Sequence, residues 1–175
     1  MAPTETITKP RVDTEHAARS AYRAMCNFDT ATAALPLDPL LRELIRVRAS
    51  MLNGCAYCVD MHTKDARAKG ETEQRLFAVS TWHEAPFFSP AERAALALTD
   101  ALTLLAGNPL PDAVVAEAER ELGAEGVAAA TWIIVTINAW NRVAIASHLQ
   151  AGDYEPDAMS AAALRGHGGR GLAGD

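Results

Sequence analysis

Residues 43–62 read E-L-I-R-V-R-A-S-M-L-N-G-C-A-Y-C-V-D-M-H and carry the end of one helix, a break, and the start of another. Upstream, Asp38 is an N-cap with Pro39 at the first helical position. Leu40, Leu41, Leu44, Ile45, Val47, Met51 and Leu52 recur as an apolar stripe of helical period. Asn53-Gly54 ends that helix. A second helix is expected from Cys55 to about Lys69, stopped by Gly70. On it, Cys55 and Cys58 share a face one turn apart, and His62, four residues after Cys58, continues that face.

Thiol, thiol and imidazole thus form one stripe that begins in a first helical turn. Unpaired backbone N–H groups and the positive end of the helix dipole stabilise a thiolate there. An ordinary thiol of pKa ~8.5 drops by about one unit or more in such surroundings. The pair is therefore built to meet an oxidant. Glu43 lies about 40° round the preceding helix from Val47, at the edge of the apolar stripe. It is expected to be partly buried and able to orient His62 or pass a proton through it. Arg48 falls inside the same stripe and reads as a snorkelling or salt-bridged arginine.

The rest of the chain is also helical in pattern. Asp13 opens a helix through Glu15 to about Asn27, with Ala17, Ala18, Ala21 and Met25 at helical spacing. Thr72 caps a short element through Leu76 and Val79, and Trp82 to Ser89 reads as a loop. Ser89-Pro90-Ala91-Glu92 is a capping box, and its helix runs to Leu105 before Gly107-Asn108-Pro109. Asp112 starts an amphipathic helix that ends at Gly123. A long apolar helix follows, from about Glu125 to Gln150, hydrophobic on nearly every side and suited to a central place or a subunit interface.

Composition agrees. Alanine supplies 36 of 175 residues and aromatics only 6 %, which disfavours an all-β domain. Length allows one domain, expected over residues 13–153, between a flexible N-terminal arm (1–12) and a Gly-rich, disordered tail (154–175). A net charge of −6 argues against a nucleic-acid or anionic-membrane binder. No uninterrupted run of about 18 apolar residues and no secretory leader are seen, and the low cysteine count makes a reducing cytoplasm the expected compartment.

Three cysteines, Cys26, Cys55 and Cys58, are too few for a disulfide framework. Val59 after Cys58 excludes a haem-attachment motif. Structural zinc needs four ligands, which Cys26 or His83 would have to complete from afar. No βαβ pattern supports a thioredoxin-like fold. A buried, purely structural pair remains open beside the redox reading. Cys26 reads as a small buried hydrophobe. Trp82 reads as a packed side chain beside an exposed His83.

The run Glu43-x11-Cys55-x2-Cys58-x3-His62, with Asn53-Gly54, Ala56-Tyr57 and Val59-Asp60-Met61 around it, and Trp82-His83 and Asn138-Ala139-Trp140-Asn141-Arg142 downstream, resemble the alkylhydroperoxidase D-like branch of the carboxymuconolactone decarboxylase family. The resemblance spans roughly Leu40 to His148. It implies an all-α, single-domain fold that assembles as a homotrimer or homohexamer. It implies that Cys58 attacks a hydroperoxide, that Cys55 resolves the product as a disulfide, and that His62 and Glu43 relay the proton. The partners it implies are a small-molecule hydroperoxide and an external dithiol reductant, protein or small molecule, with no cofactor or metal. Tyr57 stands where the best-known peroxidase of the family has histidine. The lactone-decarboxylating branch usually lacks the cysteine pair, so that activity is not expected. A disulfide reductase or a non-catalytic redox sensor would use the same pair.

Overall fold

A computed structural model describes residues 11–156. The expected arm before Arg11 and the expected tail beyond residue 156 lie outside the described residues. All regular structure among the described residues is helical. In chain order the elements are α1 (Thr14–Ala17), α2 (Arg19–Ala33), α3 (Pro39–Asn53), α4 (Ala56–Ala68), α5 (Glu73–Ala78) running into a 3-10 turn (Val79–Thr81), α6 (Pro90–Thr103) and α7 (Asp112–Ser147).

The caps form where the residue types place them. The Asp38 carboxylate accepts from the amides of Leu40 and Leu41, and Ser89 and Glu92 close a reciprocal capping box. The first expected helix differs. It breaks at Ala18 (φ −133°, ψ 48°) and resumes as α2, which runs on to Ala33. The break has a tether on its N-terminal side. Arg11 N–H donates to Ser147 O at 3.1 Å, and the Thr14 and Ser147 hydroxyls meet at 2.9 Å. These contacts pin α1 to the end of α7 and turn it away from the axis of α2.

α3 is the hub. It packs against α4, α6 and α7. Leu44 and Val47 join Leu76, Val79, Trp82, Phe88 and Leu96 in one core cluster, while Leu41 and Ile45 join Leu98, Ile133 and Ile134 in another. A helix buried on several sides must pair any charge it carries. Arg48 does so: its Nε and Nη2 donate to the two Asp100 oxygens at 2.5 and 2.8 Å, and Nη1 donates to Ser80 O at 3.1 Å. The salt-bridged reading of Arg48 therefore holds. Trp82 is buried, donates to Asp100 at 3.2 Å and stacks on the exposed His83.

α7 covers both expected C-terminal helices, with a break at Gly123 (φ 71°, ψ 167°) where the first was expected to stop. By length and composition α7 could cross a membrane. Here its inner face, Ala130, Ile133, Ile134 and Ile137, supplies core. Trp132 and Val135 on its outer face are exposed, as are Ile145 near its end and Leu149 just beyond the helix.

Candidate redox site

The site begins at the turn between α3 and α4. Gly54 adopts φ 69°, ψ 30°, which lets its N–H reach Met51 O and lets Cys55 N–H reach Ser50 O at 3.0 Å. Asn53 bolts this turn to α7, donating to Asn141 Oδ1 at 2.9 Å and Asn138 Oδ1 at 3.0 Å, while Asn141 donates to Ser50 Oγ at 3.0 Å. Cys55 is then the N-cap of α4: its sulfur accepts the Cys58 amide at 3.3 Å. Cys55 thus stands at the helix entrance rather than within the helix. Cys58 and His62 follow on the buried face.

The two cysteines are joined as a disulfide, with Cα atoms 5.4 Å apart, inside the ordinary span for such a bond. His62 lies one turn beyond Cys58, and its Nδ1 is 3.1 Å from Glu43 Oε2. Glu43 is fully buried at 1 % exposure, deeper than its edge position on the stripe suggests. The reason is partnership. Lys69 Nζ donates to Glu43 Oε1 at 3.0 Å and Arg46 Nη1 donates to it at 3.3 Å. Burial pushes the Glu43 carboxyl up, but the His62 hydrogen bond and charge, with Arg46 and Lys69, outweigh it and lower the pKa to about 2. The carboxylate stays ionised at neutral pH.

Glu43, His62 and Asp65 carry ligand-type atoms within 4.8 Å of one another. Two cations already sit on Glu43, and His62 Nδ1 is engaged by it. That donor set fits an ion-paired relay better than a cation site.

Cys58 and His62 open onto a cavity of about 460 Å³. Its walls are mainly apolar, from Tyr22, Tyr57, Met61, Ile137, Trp140 and Val143, with Asp13, Glu15, His16 and Asp29 also on its lining. Sequence reading brought together Cys55, Cys58, His62 and Glu43, and the structure places all four at this one locus. It did not find Lys69 or Arg46, nor the cavity walls. Arg46 lies three residues after Glu43 and Lys69 seven after His62, so helical spacing held that signal. Cys26 is corrected. It is a half-buried free thiol on the cavity lining, because α2 lies along α7 beside the site.

The profile of the carboxymuconolactone decarboxylase family matches residues 19–101. A structure from Agrobacterium tumefaciens, a protein of unknown function suggested to be the antioxidant defence protein AhpD, superposes with a TM-score of 0.80 at 34 % identity, covering 83 % of this chain and 100 % of that one. The chain belongs to the carboxymuconolactone decarboxylase family, in its alkylhydroperoxidase D-like branch. The uncharacterised protein YdfG of Bacillus subtilis is similar too, 39 % identical over 136 residues, 78 % of this chain and 92 % of YdfG. The debrominase Bmp8 shares the fold, with a TM-score of 0.72 at 21 % identity over 86 % of this chain and 78 % of Bmp8. The family's all-helical fold, expected from the sequence, is the fold observed.

Proposed function

We propose that the protein is a thiol-dependent peroxidase for hydrogen peroxide or organic hydroperoxides. The observation that carries this reading is the placement of Cys58 on an apolar cavity, next to a buried His62–Glu43 pair and within bonding reach of Cys55. Cys58 thiolate attacks one peroxide oxygen and the O–O bond breaks. The departing alkoxide or hydroxide takes a proton through His62, leaving Cys58 as a sulfenic acid. Cys55 thiol condenses with it, releasing water and forming the disulfide. An external dithiol then restores both thiols by exchange and is itself oxidised. Glu43 holds His62 in one orientation and balances its charge when it is protonated.

Copies of the chain are proposed to associate through the outer face of α7, supported by the exposed Trp132 and Val135, with 51 and 44 % exposure. A reducing cytoplasm is the compartment that suits the cycle.

The test is a free-thiol count by intact mass before and after one equivalent of cumene hydroperoxide, with peroxide consumption followed as dithiol is added. Loss of two thiols, with repeated consumption in the presence of dithiol, is expected. No thiol loss at submillimolar hydroperoxide overturns the reading.

A further inference from the structure

The two cysteines of the pair border different openings. Cys58 lines the apolar cavity and Cys55 does not. Cys55 contributes instead to a shallow, open groove of about 590 Å³, with Met51, Gly54, Ala56, Val59 and Thr63. The groove and the cavity have no lining residue in common.

Which sulfur an incoming thiol attacks depends on access and on which sulfur leaves better as a thiolate. The two cysteines are equally buried, so exposure does not choose between them, and the better leaving group makes Cys55 the target. The groove offers an approach that avoids the cavity. Expulsion of Cys58 leaves its thiolate in the first turn of α4, one turn from His62, where negative charge is stabilised.

We propose that hydroperoxide and reductant enter from separate openings, the hydroperoxide through the cavity to Cys58 and a small dithiol through the groove to Cys55. The first thiolate of the dithiol attacks Cys55 Sγ. A mixed disulfide forms, the Cys55–Cys58 bond breaks, and Cys58 leaves as a thiolate. The second thiol, deprotonated, attacks the dithiol's own sulfur in the mixed disulfide and releases Cys55 as a thiolate, which takes up a proton. The dithiol departs as a cyclic disulfide, oxidised by two electrons, and the protein is reduced by two. The inference rests on the thiol/disulfide cycle proposed above and assigns each of its reactants an entrance.

The experiment isolates the reductive half. Protein oxidised with diamide is reduced by dithiothreitol, and the rate is followed by intact mass on quenched samples. Ala56→Trp, at an exposed position, and Thr63→Trp fill the groove. Val143→Trp, or Leu149→Trp at the exposed rim, fills the cavity. Both groove variants are expected to slow reduction by about tenfold or more while cumene hydroperoxide still removes thiols at a rate within about twofold of the parent. The cavity variants are expected to do the reverse. Unchanged reduction in the groove variants, or slowing in the cavity variants as large as in the groove variants, overturns the inference. Failure of the peroxidase reading appears separately, as a parent protein that loses no thiols to hydroperoxide, and the diamide-oxidised samples still decide the route of reduction.

Discussion

His62 Nδ1 stands 3.1 Å from Glu43 Oε2, and both side chains are buried, with His62 on the edge of the cavity. The contact joins the helix that carries the cysteines to the hub helix α3. It occupies one imidazole nitrogen and leaves Nε2 as the nitrogen without that bond. Glu43→Gln keeps the shape and removes the negative charge beside the ring. It is expected to slow hydroperoxide-driven thiol loss about 10²-fold, the usual scale for a positioned acid–base group. His62→Gln should cost a similar factor, and the double variant little more, because the two act as a unit. Rates of thiol loss by quenched-flow mass analysis, with circular dichroism to verify folding, check this.

Acid stability follows from the same carboxylate. The Glu43 pKa is about 2 in the folded chain against 4.5 for the free side chain. A depressed carboxyl stabilises the folded state above its unfolded pKa, and that contribution is lost as pH falls toward the folded value. Stability is therefore expected to decline between about pH 4.5 and 2, by an amount on the order of 3 kcal/mol from this group. Glu43→Gln should flatten the decline in that window. Urea denaturation at stepped pH measures it.

Cys55→Ser separates attack from resolution. It is expected to react once with hydroperoxide and then to stall with Cys58 as a sulfenic acid, which dimedone labels, or to proceed to the sulfinic acid. Cys58→Ser should lose turnover entirely. Intact mass after one equivalent of oxidant distinguishes the products.

Arg48 and Asp100 make a prediction about stability alone. Asp100→Ala strands a buried guanidinium that now makes two bonds to this carboxylate, and it also removes the acceptor for Trp82. A loss of about 3–5 kcal/mol is expected. Thiol oxidation per folded molecule should stay unchanged, since neither residue lines the cavity. Urea denaturation paired with the thiol count checks both halves.

Gly123 holds φ 71° and ψ 167°, a conformation that a side chain strongly disfavours. No neighbouring atom would meet an added Cβ, so the cost of Gly123→Ala is conformational rather than steric. It is expected at about 1–3 kcal/mol, read from the shift in thermal midpoint.

Much of the fold was legible because its punctuation is local. Asp38-Pro39, Gly54, Thr72 and Ser89-Pro90 act through hydrogen bonds within a turn of themselves, so their residue types announce the helix ends. The break at Ala18 had no such mark. It accompanies bonds to Ser147, more than a hundred residues away, and alanine says nothing of them. The site divides the same way. Cys55, Cys58 and His62 lie within eight consecutive positions on one helix and its cap, and spacing alone aligned them. The depth of Glu43 depends on Lys69 reaching it from the end of α4, beside Arg46 one turn along α3, and the place of Cys26 depends on how α2 lies along α7. Spacing marks which residues share a face of one helix, but which helices meet is a fact of packing.

The sulfur cap of α4 makes the helix a reporter of its own chemistry. Cys55 Sγ accepts the Cys58 amide in the disulfide form. At a pH where Cys55 has lost the proton it holds in the cycle, its thiolate is a far stronger acceptor than a disulfide sulfur, so reduction there tightens the first turn and oxidation loosens it. Amide exchange at Cys58 should therefore slow on reduction above the thiol pKa and quicken again on oxidation, with the middle of α4 indifferent to both. The electron count of the pair is written into the breathing of a single peptide group.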